Sequence, residues 1–178
     1  MHRLPVIKLT TCIIRSVFKE AGQPGVILFK LMFEGPFIAR FFVVVQLSSL
    51  FYLLFSGPWL ADYPLLLGLE MAGLLIGTVA IWQMNPSNIN VTPIPKTGGR
   101  LVTHGVYKVI RHPMYLAQLL VVGALVIEHY SHLRVAILLI LSVNLIFKLN
   151  YEETHLVKHF EGYEKYRQSS WRLIPLIY

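Results

Sequence analysis

Two apolar runs of about twenty residues, 37–55 and 64–84, limit what this chain can fold into more than any other feature. As a helix, each is long enough to cross a hydrocarbon core roughly 30 Å thick. Inside such a core every backbone N–H and C=O must find a partner within the protein, so runs of this length are helices. Gly57-Pro58 ends the first, and Trp59 and Tyr63 follow as interfacial aromatics. Pro64 opens the second, in the first turn, where a helix has no use for the missing N–H. Two further runs, 114–128 and 135–149, have only about 15 residues each, near 22 Å of helix. Their short connection, 129–134, makes them an antiparallel helical hairpin that either borrows flanking residues to span or stops short of full depth.

Composition supports the same class. Hydrophobic residues make up 55 % of the 178 and charged residues 14 %, against about a quarter charged in a soluble domain. The mean hydropathy is +0.59. The expected fold is an all-α integral membrane protein with about four transmembrane helices and a C-terminal helical hairpin. Three regions follow: residues 1–36, 37–84 and 85–178. In the first, Leu4, Ile7, Leu9, Ile13, Ile14, Val17 and Phe18 alternate with Lys8, Arg15 and Lys19, the pattern of an amphipathic N-terminal helix lying at the interface.

The net charge of +7 sits beside the apolar segments, which points to anionic lipid headgroups and to topology control rather than to nucleic acid. Of the 16 Lys and Arg residues, all but Arg134 fall on one side of a four-span layout, which by the positive-inside rule is the cytoplasmic side. The protein is therefore expected in a bacterial inner membrane or the endoplasmic reticulum. The single cysteine, Cys12, forms no internal disulfide, and the N-terminus lacks a signal-peptide pattern. There is no Cys/His metal spacing, P-loop or nucleophile elbow, and no metal is expected.

Two polar clusters interrupt this apolar chain. In Arg111-His-Pro-Met-Tyr115, Pro113 starts a helix and holds Arg111 and His112 just outside its N-terminus. The free N–H groups and the dipole there favour an anion. Tyr115 points back to the same mouth, while Gly98, Gly99 and Gly105 allow tight turns or close approach to a ligand. The alternative is a basic juxtamembrane loop touching phospholipid. Glu152 and Glu153 follow the fourth run: they are either an ordinary solvated helix start or the holders of a cationic group. If the hairpin returns them to the Arg111/His112 loop, an anion holder and a cation holder across a small gap suit a zwitterion, such as the amino-acid end of S-adenosylmethionine. Glu70, inside the second run, either meets a headgroup or is a protonated structural residue. Asn144 is placed to bridge helices, and His129 and His132 read as solvated.

The ordered set Leu101-Val-Thr-His-Gly-Val-Tyr107, Arg111-His-Pro-Met-Tyr115, Glu152-Glu153-x-x-Leu156-x-x-x-Phe160, Tyr163-x-x-Tyr166 and Arg172-Leu-Ile-Pro175 resembles the isoprenylcysteine carboxyl methyltransferase family and its bacterial relatives, which are related to phospholipid N-methyltransferases. The resemblance covers about residues 85–178. It implies a membrane methyltransferase that uses S-adenosylmethionine. It places the nucleoside against the backbone near Leu101 and Val102 with Tyr107 beside it. His112, Pro113 and Tyr115 would line the pocket, and Glu152 or Glu153 would hold the amino-acid end. Ala117 stands where the family often has glycine. Lys148 stands where the prenylcysteine enzymes carry an arginine that meets the substrate carboxylate; a lysine pairs with an anion but not bidentately. Lys148 and Glu152 are thus the expected catalytic pair. The acceptor is expected to be a lipid-like or prenylcysteine carboxylate reached from the bilayer, with a phospholipid amine as the alternative. A sterol-reductase-like NADPH enzyme, which needs more spans, and a non-enzymatic membrane scaffold rank below these.

Overall fold

A computed structural model describes residues 36–85, 88–96 and 98–175. The expected interfacial helix of residues 1–36 lies outside them, apart from its last residue. Among the described residues the chain is all-helical: α1 (Pro36–Phe55), α2 (Pro64–Met84), a 3-10 turn (Gly105–Lys108), α3 (Pro113–Glu128), α4 (His132–His159) and α5 (Tyr163–Gln168). Three of them, α1, α2 and α4, are long and apolar enough to cross a membrane, with mean hydropathies of 1.9, 2.0 and 1.9. At 16 residues α3 is about 24 Å long, short of the roughly 30 Å core.

The helix starts follow local chemistry. Pro64 and Pro113 each occupy the first turn of their helices. Ser131 caps α4 by accepting a hydrogen bond from the Arg134 backbone N–H at 3.2 Å. The fourth apolar run proves to be only the middle of α4, whose 28 residues carry the helix past Tyr151-Glu152-Glu153 to His159. Hydropathy registers the buried stretch, whereas the helix continues wherever its hydrogen-bond ladder remains satisfied, so both glutamates sit within a helix.

Packing explains the tolerated alanine. A Cβ on Gly73 of α2 would stand 2.9 Å from the Ala117 carbonyl oxygen and 2.9 Å from Val121 Cγ2, and a Cβ on Gly77 would stand 3.2 Å from Ala117 Cβ. The glycines on α2 supply the close approach and leave room for the Ala117 methyl on the facing helix. A second seam joins α1, α3 and α4 through Leu53, Val122, Val126, Leu141 and Leu145. Outward-facing Phe41, Val44, Leu47 and Phe51 on α1 and Leu65, Leu69 and Leu75 on α2 remain exposed, as a lipid-facing surface requires.

Charged residues at the end of the bundle away from the 85–112 segment serve the fold. Arg134 Nη1 donates to Ser56 Oγ (2.6 Å) and Nη2 to the Leu125 carbonyl (3.1 Å), which places a cation on the C-terminal end of α3. Glu70 accepts from the Ala61 backbone N–H (3.1 Å) and Glu128 from that of Tyr63 (3.3 Å), so both carboxylates tie down the α1–α2 connection. Asn144 bridges helices as expected, donating to the Phe42 carbonyl at 3.1 Å.

At the opposite end, the 3-10 turn docks onto α2. Gly105 has φ +60, and a Cβ there would lie 2.1 Å from Gln83 Nε2; Gln83 Oε1 accepts from the Val106 N–H at 2.9 Å. Gly105→Ala should therefore lower stability by about 1–3 kcal/mol, from the left-handed backbone and the displaced amide. Thermal unfolding in detergent checks this, with a midpoint lowered by several degrees expected.

Candidate active site

The C-terminal tail builds the site by folding back on the residues before α3. The Trp171 N–H donates to the Val109 carbonyl (2.8 Å), the Arg111 N–H to Trp171 (2.8 Å) and the His112 N–H to Arg172 (3.1 Å). These three bonds make a short parallel ladder centred on Ile110 and Trp171, which fixes Arg111 and His112 against the end of α4.

Glu153 is the anchor of this arrangement. It is 2 % exposed. Arg111 Nε lies 2.7 Å from its Oε1, while Arg172 Nε and Nη2 lie 3.1 and 3.0 Å from Oε2. His112 Nε2 is 3.4 Å from Oε1. Arg111 Nη1 also donates to the Arg167 carbonyl at 2.9 Å and to the Ser170 carbonyl. Arg172 Nη1 reaches Asn150 Oδ1 at 2.9 Å. A carboxylate held by two guanidiniums is a charge-assisted clamp, and it occupies the arginine that the sequence offers as an anion holder. Arg111 joins α4 to the tail.

One residue earlier, and about 100° around the helix, Glu152 faces the other way. It keeps about a quarter of its side chain exposed and accepts the Tyr115 hydroxyl at 2.7 Å. His112 Nδ1 stands 3.8 Å from the same oxygen. The His112 ring lies parallel to Tyr115, with centroids 5.4 Å apart and planes 4° apart. A hydrogen bond at one end and a stacked ring on one face hold Tyr115 in place.

These groups border a cleft of about 920 Å³, including its open mouth. One wall is a strap, residues 88–96. Asn88 closes the neck of the strap by accepting from the Arg100 N–H (2.9 Å) and donating to its carbonyl (2.8 Å). Asn90 shapes it by accepting from the Thr92 N–H at 3.3 Å and by donating to the Ile94 carbonyl. The start of α3 also lines the cleft, with Glu152, Leu156 and Phe160. Tyr166 donates to the Tyr107 carbonyl at 2.6 Å and pins the 3-10 turn beneath. Burial, reinforced by neighbouring Tyr166, raises the Tyr107 hydroxyl above the ordinary phenol range. Burial raises Tyr163 as well, with Glu153 adding to it, and pushes Tyr166 up to about 12. All three are neutral donors across the physiological range. The Tyr163 hydroxyl is buried and has no hydrogen-bond partner among the described residues.

The structure thus brings Leu101, Val102, Tyr107, His112, Pro113, Tyr115 and Glu152 to one cleft. Glu153 lies behind its wall. Lys148 lies on the far side of Tyr115, its Nζ 5.3 Å from the ring centroid, donating to Gln46 Oε1 at 2.6 Å and to the Val91 carbonyl at 3.0 Å. Sequence reasoning misses the strap, whose only signal is the run of turn formers from Asn85 to Pro95. It also misses Gln46, whose signal is a polar side chain within an otherwise apolar span. The sequence model of the family described as phospholipid methyltransferase matches residues 65–162, more than half of the chain. A search of curated proteins gives no match.

Proposed function

This chain belongs to the phospholipid methyltransferase family, and from that premise we propose that it binds S-adenosylmethionine in the cleft and methylates a lipid-anchored acceptor carboxylate reached from the bilayer. The observation that carries the proposal is the position of Glu152. It is the only carboxylate on the described cleft wall, and it lines the same cleft as Leu101 and Val102.

The residues fit this donor. The volume lies within the roughly 300–1,000 Å³ of small-molecule sites. Leu101, Val102, Leu156 and Phe160 offer apolar surface to an adenine. Glu152 is available to an ammonium group, and the unpartnered Tyr163 hydroxyl is a donor waiting for an acceptor. When bound, S-adenosylmethionine supplies an electrophilic methyl group on a sulfonium. The chain supplies orientation and charge. Tyr115 and His112 hold Glu152 in position at the α3 end of the cleft. Lys148, behind Tyr115, lends positive charge to the membrane side, which draws a carboxylate and repels an ammonium. A carboxylate acceptor is already an anion and needs no general base, so no proton has to leave through this wall. The charge asymmetry of the sequence favours a cleft that opens to the cytoplasm.

A second reading has the family's own description in its favour: a phospholipid amine as acceptor. Such an amine must lose a proton before it attacks, and Glu152 is the group on the cleft wall able to take one. The two readings separate in one assay. Membranes containing the protein are given methyl-labelled S-adenosylmethionine, and the products are then treated with base. Label released as methanol is expected, because a methyl ester hydrolyses. Label that survives base in the lipid fraction identifies N-methylation and overturns the carboxylate assignment.

A further inference from the structure

A lysine ammonium donates hydrogen bonds and accepts none, and in this fold that asymmetry propagates along a row of side chains. Lys148 is 2 % exposed and Gln46 6 %. Because Lys148 Nζ lies 2.6 Å from the Gln46 side chain, Gln46 must present its oxygen there. Its amide nitrogen is then turned away and donates to Gln118 Oε1 at 2.7 Å. With its oxygen occupied, Gln118 presents the amide nitrogen, which has no partner among the described residues. The row runs Lys148 → Gln46 → Gln118, each bond polarising the next, and ends in a free N–H donor. Lys148's remaining hydrogens are directed to the Val91 carbonyl and the face of Tyr115.

The end of the row lies one helical turn beyond Tyr115, which lines the cleft. Gln118 follows Tyr115 by three residues on α3, so both lie on one helix face with Gln118 about 4.5 Å deeper along the axis. Gln46 lies on α1, outside the matched residues 65–162, so the row is assembled partly from a helix the family match does not include. An N–H donor backed by a buried cation, on an otherwise apolar stretch of α3 beyond the tyrosine that meets Glu152, is complementary to an anionic oxygen.

We propose that Gln118 is a specificity-determining residue that binds an anionic oxygen of the lipid acceptor's headgroup, with Gln46 as the positioning residue that couples it to Lys148. The chemistry is shared by a carboxylate and a phosphodiester. The proposal rests on the reading of the chain as a lipid methyltransferase, but not on which of the two headgroups is methylated.

The test is steady-state kinetics in mixed micelles with two acceptors, a prenylated cysteine bearing a free carboxylate and phosphatidylethanolamine. Gln118→Glu keeps the oxygen that Gln46 bonds but replaces the donor with an anion. It should raise the acceptor KM about tenfold or more and leave the affinity for S-adenosylmethionine unchanged, which also reports an intact fold. Gln46→Leu cuts the row from its cation and should raise the same KM by a smaller factor. An unchanged acceptor KM in Gln118→Glu overturns the proposal. A wild-type protein active only on phosphatidylethanolamine removes the carboxylate assignment, yet supports this proposal if Gln118→Glu raises that lipid's KM. A wild-type protein active on neither acceptor overturns both.

Discussion

Glu152→Gln is expected to weaken S-adenosylmethionine binding about a hundredfold while the protein unfolds at nearly the same temperature. The estimate comes from the cost of removing one member of a partly desolvated charge pair, about 2–5 kcal/mol, at roughly 1.4 kcal/mol per tenfold. The glutamine carbonyl still accepts the Tyr115 hydroxyl that Glu152 Oε2 accepts at 2.7 Å, so the stack of Tyr115 on His112 stays in place. Only the charge offered to the cleft disappears. Equilibrium titration of the variant in detergent, beside a thermal melt, separates the two effects. Unchanged affinity would move the donor's cationic end away from this residue.

Arg111→Ala is expected to have the opposite profile, with a large loss of stability and a loss of function that follows from it. Arg111 Nε lies 2.7 Å from Glu153, and its Nη1 reaches the Arg167 and Ser170 carbonyls. Removing one partner of a buried ion pair costs about 3–5 kcal/mol, because the remaining charge is left without its partner. Here the loss falls on Glu153, a main tie between α4 and the tail, although Arg172 still meets its other oxygen and Asn150. The melting midpoint should fall by roughly 10 °C, from about 2–4 °C per kcal/mol for a domain of this size. Limited proteolysis should cut first within residues 160–175. A variant that melts like the parent would show that the clamp carries little of the fold.

The contrast between these adjacent glutamates marks the limit of what the sequence discloses. The pair stands out in a chain with so few charges, but which member faces the cleft is decided by a rotation of about 100° on α4. That rotation depends on where Arg111 and Arg172 arrive from 42 and 19 residues away. No local pattern announces a long-range clamp, so Arg111 reads as an anion holder at a helix mouth although its partner is an internal carboxylate. The apolar runs are legible because a span must satisfy its own backbone: α1 ends where Gly57-Pro58 indicates, and α2 begins and ends where Pro64 and Asn85 do. The end of α4 is not legible in hydropathy, since its last turns are polar on the outside. The cleft's ordered residues, from Leu101 to Tyr115, are visible as a family pattern. Gln46 and the strap are visible only as a polar residue in a span and a run of turn formers, and become specific once Lys148 is seen to bond both.

The most direct measurement is an equilibrium titration of the purified, detergent-solubilised wild-type protein with S-adenosylmethionine, repeated with the demethylated product, S-adenosylhomocysteine, as competitor. Saturable binding of one donor per chain, displaced by the product, is the expected result. Heat or signal that never saturates, or binding that the product fails to displace, would contradict the assignment of the cleft to a methyl donor.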